Sequence, residues 1–392
     1  MRLVIDHALL IDGTGATPIQ DAVVQAVEGR IVYAGPRAQA PDLSDVAVFD
    51  AEGAVVMPGL IDTHVHLSAE PVSDFEGYMR ALTEAESEET SIRNAKRALA
   101  GGVTSVRDLG GKGDSVLRAA ARLRGGGEGA AARVIAAGTW LTKPGGHCHY
   151  AAREIHGPDD ARKAVLEQFE AGARCIKVVA TGGVLSSSTT ATEQALDDET
   201  LEAVVGTARE LGARVAAHAI GKGGIEAALR AGVDSIEHGC YVGDVDRQPF
   251  LDNPTWLVPT FSAPDGICRA EGMHEYAVAK AEQVTAAHMR GFADAVADGV
   301  RIACGTDAGT PANPIGEIWR ELELMADRGL PLDRVFASAT REAAQLLGVG
   351  DIGTLEVGHH CDALILEPGA NPLETAAAYR QIATVIFAGE VV

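Results

Sequence analysis

Along the middle of this chain, short apolar runs alternate with longer stretches whose apolar positions recur at helical spacing. The runs fall at 54–56, 103–106, 134–137, 176–179, 215–217, 235–236, 256–258 and 301–303. Between them lie Ala/Glu/Arg/Leu-rich segments such as 158–172, 198–211 and 276–299, which the 3.6-residue period marks as helices. Strands alternating with helices predict right-handed βαβ units and a parallel sheet. Eight such units predict closure into an α/β, (β/α)8 TIM barrel. No G-x-G-x-x-G follows the first run, which argues against a dinucleotide fold.

The two ends are patterned differently. Residues 1–55 alternate and turn, with apolar positions at 3–5, 22–24 and 31–33 and an Asp12-Gly13-Thr14-Gly15 turn; 350–392 does the same around 362–366 and 384–389. Neither end is long enough to bury both faces of a sheet. The expectation is a small composite β-sandwich domain built from 1–55 plus 350–392, with the barrel occupying 56–349.

Length agrees, since 392 residues leave room for a smaller unit beside a barrel of about 250. With 55 acidic against 33 basic side chains, the net charge of -22 repels nucleic acid and favours solubility. No run approaches the roughly 18 apolar residues of a membrane span. Charges at Arg2 and Asp6 interrupt any signal-peptide core, so export by that route is not expected. Six cysteines are scattered without a C-x-x-C pair, which suits a reducing cytoplasmic setting.

Unusual side chains sit where apolar strands end. His64 and His66 are two apart and so project from one face of an extended chain. Such a pair alone is more commonly a solvated turn or a hydrogen-bonded core pair. Lys177 lies inside Cys175-Ile176-Lys177-Val178-Val179, where a lysine either reaches solvent, pairs with a carboxylate, or loses its charge to act as a ligand. His218, His238 and Asp307 each close a later apolar run. In a barrel those strand ends converge on one mouth, and imidazoles with carboxylates suit a zinc-like divalent ion.

Taken together, Pro58-Gly59-Leu60-Ile61-Asp62-Thr63-His64-Val65-His66, Lys177, His218, His238 and Thr306-Asp307-Ala308-Gly309 resemble the amidohydrolase superfamily. The resemblance runs over essentially the whole length, and the tail 353–364 resembles that family's return into its β domain, with Cys361 where a small residue is usual. It implies two divalent metal ions, zinc by preference. His64 and His66 would hold one, His218 and His238 the other, and a carbon dioxide-derived carbamate on Lys177 would bridge them. Asp307 would coordinate the first ion and shuttle protons while a metal-bridging hydroxide attacks a carbonyl carbon. No G-x-S-x-G elbow offers a serine nucleophile instead.

Within the superfamily the chain is most similar to the prolidase-like (Xaa-Pro dipeptidase-like) branch, through Gly145-Gly146-His147, Thr181-Gly182-Gly183-Val184-Leu185-Ser186 and Glu237-His238-Gly239-Cys240-Tyr241. That implies a small-molecule substrate, a dipeptide or N-acyl amino acid whose free carboxylate meets His147 and Tyr241. Read without the resemblance, His147 is a loop residue satisfying nearby backbone and Tyr241 a barrel-rim aromatic. His149 departs from the branch's usual pattern and bears on selectivity. The polar loop 182–192 reads equally as a mobile lid or a solvated connection. Arg80, Arg107 and Arg153 are further candidate anion contacts, each more simply a surface charge; His7, His156, His274, His288, His359 and His360 read as surface or structural. Relatives are often homo-oligomers, and the same is expected here. The alternative reactions are hydrolysis of cyclic amides, lactones, esters or xenobiotic amides. A one-metal deaminase fits less well because of Lys177, and a non-catalytic binding relative fits less well because every ligand position is filled.

Overall fold

A computed structural model describes residues 2–42 and 46–392; Met1 and 43–45, which belong to the N-terminal segment 1–55, lie outside the described residues. Eight parallel strands form the barrel: Leu60–Val65, Val103–Asp108, Arg133–Ala136, Cys175–Val179, Arg214–Ala219, Ser235–His238, Trp256–Val258 and Arg301–Ile302. They pair in chain order as one arc of three strands and one longer arc. Single backbone bonds join the arcs: Arg174 N to Ala136 O (3.0 Å) at one seam, Thr63 N to Cys304 O (2.9 Å) and His66 N to Ala308 O (2.8 Å) at the other. Helices Pro158–Glu170, Asp198–Glu210 and Glu275–Ala297 occupy the segments with helical periodicity.

The first apolar run is not a barrel strand. Val55–Pro58 pairs with Arg2–Leu10 and Ala363–Leu366 in the other sheet, and the barrel opens with Leu60–Val65 instead. The crossing point is Gly59, where a Cβ would come within 2.3 Å of Thr104. Two strands in direct succession, separated by one glycine, merged into one in the sequence pattern.

The β domain draws strands from both termini. Arg2–Leu10, Ile19–Val27 and Arg30–Pro36 form an antiparallel meander, Ala47–Asp50 and Val55–Pro58 lie parallel to the first strand, and Ala363–Leu366, Ile382–Phe387 and Glu390–Val391 complete an eight-stranded sheet. Its Arg30–Pro36 edge closes on the segment leading into Ala363–Leu366 through Ile31 N to His359 O and Cys361 N to Gly29 O, both 2.9 Å, so the sheet folds over a core that includes Ile5, Val24, Ile31, Val56, Ile365 and Ile386. Cys361 is fully buried there, and burial pushes its thiol up to about 12, as befits a packing residue. Among the described residues, no helix is long and apolar enough to cross a membrane.

Candidate metal centre

The carboxyl-terminal strand ends bring together His64, His66, Lys177, His218, His238 and Asp307, all lining one cavity. His238 (φ 69°), Thr260 (φ 54°) and Asp307 (φ 57°) hold left-handed backbone conformations unusual for residues with a Cβ. Such strain persists only where surroundings fix it. For Asp307 one restraint is its N–H bonded to His64 O at 2.7 Å.

Each of the four imidazoles is tethered through one nitrogen. His64 Nδ1 meets Glu237 Oε2 at 2.8 Å, His66 Nδ1 meets Gly110 O at 2.9 Å, His218 Nε2 meets Gly182 O at 2.8 Å, and His238 Nδ1 meets Thr260 Oγ1 at 2.7 Å. The second nitrogens of His64 and His66 lie 3.4 and 3.1 Å from Asp307 Oδ1, and Lys177 Nζ is 3.4 Å from His64 Nε2. Among the described residues, His64, His66 and Asp307 form the one group of His, Cys, Asp or Glu ligand atoms within 4.8 Å of one another. A hydrogen bond at one ring nitrogen that fixes the other as a lone pair is how metal-binding histidines are oriented, so these donors fit a divalent ion.

The electrostatics favour neutral imidazoles at His64, His218 and His238, whereas at His66 burial is outweighed by the hydrogen bond and charge of Asp307, which raise it. Burial, then the charge of Lys177, pushes His64 down to about 4; burial also holds His218 and His238 well below the ordinary range. Lys177 is 2% exposed, and burial brings it down to about 8 against the pull of Glu237 and Asp307. Burial opposes ionisation of Asp307, but neighbouring His64, His66 and Lys177 outweigh it and bring the carboxyl to about 2.

Beneath these candidate ligands runs a buried polar network that the sequence pattern did not reveal. Arg107, read above as a surface charge, is 1% exposed at the barrel centre. Its guanidinium donates to Thr63 O (2.6 Å), Ser235 Oγ (3.1 Å) and Glu237 Oε1 (2.8 Å), while the other oxygen of Glu237 holds His64. Burial would raise the Glu237 carboxyl, but Arg107 and His64 bring it to about 2. The missed signal was a charge inside a six-residue buried strand, the same signal that singled out Lys177. By contrast, Arg80 pairs with Glu76 and Arg153 with Asp160 and Glu167 away from the cavity, as surface charges do.

His147 lines the cavity, with Nδ1 2.7 Å from Ser186 Oγ and its ring 4.7 Å from that of His218. Tyr241 packs beside Ile220, Cys240 and Val284, behind the wall, and is not among the lining residues. His288, read as surface or structural, is buried and lines the cavity. The rest of the wall is largely apolar, with Phe75, Trp140, Val184, Leu185, Ile267 and Val284, and among the described residues Lys177 is its one Lys or Arg. Loop 182–192 is tied down: Tyr276 Oη donates to Leu185 O (3.2 Å), and the Lys280 ammonium donates to the carbonyls of Ser186 and Thr189.

The pattern of the Amidohydrolase family matches residues 55–392. The chain belongs to the amidohydrolase family. Ochratoxinase of Aspergillus niger is 29% identical over 96% of this chain and 83% of its own length. A crystal structure of a Xaa-Pro dipeptidase with methionine bound in its active site superposes with a TM-score of 0.89 at 28% identity, covering 100% of both chains. A putative prolidase from Bifidobacterium longum does so at 0.85 and 31%, over 100% of this chain and 94% of its own. This amidohydrolase lies in the prolidase-like branch and is a hydrolase acting on C–N bonds.

Proposed function

We propose that this amidohydrolase cleaves the amide bond of a dipeptide or N-acyl amino acid bearing a free carboxylate, at two divalent metal ions, zinc by ligand type. In this reading His64, His66 and Asp307 would hold one ion, His218 and His238 the other, and Lys177, carboxylated by carbon dioxide, would be a ligand to both. The observation that carries it is the set of four imidazoles, each tethered at one nitrogen, around a buried lysine and a carboxylate. Burial lowers the affinity of Lys177 for its proton, and the free amine is the form that reacts with carbon dioxide.

Bound ions supply Lewis acidity toward a carbonyl and a water acidified toward neutrality. The chain's own groups do the remainder. Asp307 opens onto the cavity, where its carboxylate accepts a proton and returns it to the leaving nitrogen. Glu237, held by Arg107, fixes the ring of His64. The apolar wall takes an apolar side chain and excludes water; the Xaa-Pro dipeptidase of the same fold binds methionine, a substituent of that kind. His147 offers its second nitrogen to the carboxylate.

One observation favours a second reading. With no arginine among the lining residues and Tyr241 behind the wall, the cavity provides little charge for a carboxylate, which suits cyclic or xenobiotic amides, lactones or esters. Turnover by the zinc-loaded protein of paired N-acyl amino acids and their C-terminal amides separates the two: dependence on the free carboxylate supports the first, indifference the second. Lys177→Ala abolishes turnover and lowers metal content in either case. Full activity of that variant would refute Lys177 as the bridge.

A further inference from the structure

Loop 182–192 is fastened to helix Glu275–Ala297 by Tyr276 and Lys280, and between those ties it lies against His147. Two contacts fix the ring. Over its face, Gly183 comes so near that a Cβ there would stand 2.3 Å from Cε1 and 2.4 Å from each nitrogen. At its edge, Ser186 Oγ lies 2.7 Å from Nδ1. The other nitrogen, Nε2, has no partner among the described residues and is not sealed off as the nitrogens of His288 are. Because the ring lines the cavity, Nε2 opens onto that space.

The hydroxyl of Ser186 carries a single hydrogen. Ser186 is 2% exposed, and among the described residues His147 Nδ1 is the hydrogen-bond partner of its Oγ. Were Nδ1 protonated, it would donate to Oγ, and the hydroxyl's own hydrogen would be buried without an acceptor. That costs roughly tenfold or more in an equilibrium constant. The hydroxyl therefore donates to Nδ1, and the ring proton sits on Nε2, toward the cavity. We propose that Ser186 is a positioning residue: it fixes His147 as an Nε2 donor, and so lets this largely apolar cavity select a substrate's free carboxylate. A carboxylate only accepts, and a hydrogen bond to a charged acceptor is about twice as strong as one to a neutral group. The fixed N–H thus favours an acid over its uncharged amide in a wall where, among the described residues, no arginine adds charge. The inference rests on the reading of a dipeptide or N-acyl amino acid hydrolase and names the group that sets its carboxylate selectivity.

The test uses zinc-loaded protein on N-acetyl-leucine and leucyl-leucine, each against its C-terminal amide. Ser186→Ala lowers the acid-to-amide ratio of kcat/KM roughly tenfold, through KM of the acids. Ser186→Thr, which keeps the hydroxyl, retains the ratio. In a His147→Phe background Ser186→Ala lowers it no further, since the two residues act as a unit. A merely structural role would weaken acid and amide alike. An unchanged ratio in Ser186→Ala, or an undiminished effect in the His147→Phe background, overturns the inference. Nitrogen-15 NMR of histidine-labelled protein reads the proton directly, with His147→Phe assigning the signal. A proton on Nδ1 in wild type, or an Nδ1 resonance unmoved by Ser186→Ala, also overturns it. If no pair is cleaved, or wild type is indifferent to the carboxylate, the functional reading falls; the spectrum, which needs no turnover, still decides whether Ser186 sets the proton.

Discussion

Arg107→Met isolates the buried network under the candidate ligands. The substitution keeps most of the side-chain volume but removes the cation that faces Glu237 at 2.8 Å, with arginine 1% and glutamate 0% exposed. Removing one partner of a buried pair leaves the other as an uncompensated charge and costs about 3–5 kcal/mol. At about 2.1 cal/mol/K per residue, that corresponds to a fall in Tm of roughly 4–6 °C for a chain of 392 residues. Arg80→Met is the control, since its i,i+4 pair with Glu76 is half exposed and worth only about 0.3–0.5 kcal/mol. Differential scanning calorimetry reads both, and zinc content after reconstitution reads whether His64 keeps its orientation. The double variant Arg107→Met/Glu237→Gln removes both charges and recovers much of the stability, while zinc content stays low because the carboxylate on His64 Nδ1 is gone. If Arg107→Met melts within a degree of Arg80→Met, the two guanidiniums are energetically alike and the network has no special weight.

Further outcomes follow from the same geometry. Glu321 is fully buried, and burial raises it to about 7 even though the N–H groups of Phe261 and Ser262 bond to it. Its folded pKa lies above its unfolded one, so the native state holds the extra proton and stability falls as pH rises from about 4.5 to 7, by up to ~3 kcal/mol. Glu321→Gln flattens that part of the stability–pH curve, and an unchanged slope in denaturant titrations would refute the assignment. At Gly305 a Cβ would come within 2.8 Å of His64 Cβ and 2.5 Å of Val258, so Gly305→Ala overpacks the ligand strand and costs about 1–3 kcal/mol. Zinc titration should show weaker uptake, and wild-type affinity would count against the packing argument. Cys268 is the exposed one of the six cysteines, so a thiol reagent labels one residue in the native protein and six after denaturation; peptide mapping checks that it is Cys268.

The chain by itself determined its alternation of strands and helices, the strand-rich character of its two ends, and which polar side chains interrupt or close apolar runs as candidate ligands. Those features are local: an apolar run closed by His64, Lys177 or Asp307 is visible without any partner, because a polar side chain in that setting needs a reason. Tertiary structure alone decided what each buried charge faces. Arg107 reads like Arg80 or Arg153 until the barrel closes and sets it against Glu237, 130 positions away. The same holds for Val55–Pro58, whose membership in the β sheet rather than the barrel depends on the strand Ala363–Leu366 arriving from the other end of the chain. His288 lies on a helix among ordinary surface positions, and only the packing of that helix against the barrel buries its ring beside the cavity. Periodicity reports which face of an element is buried, whereas the partners across that face come from segments far away, and it is they that decide whether a charge is screened by water or must be matched by another side chain.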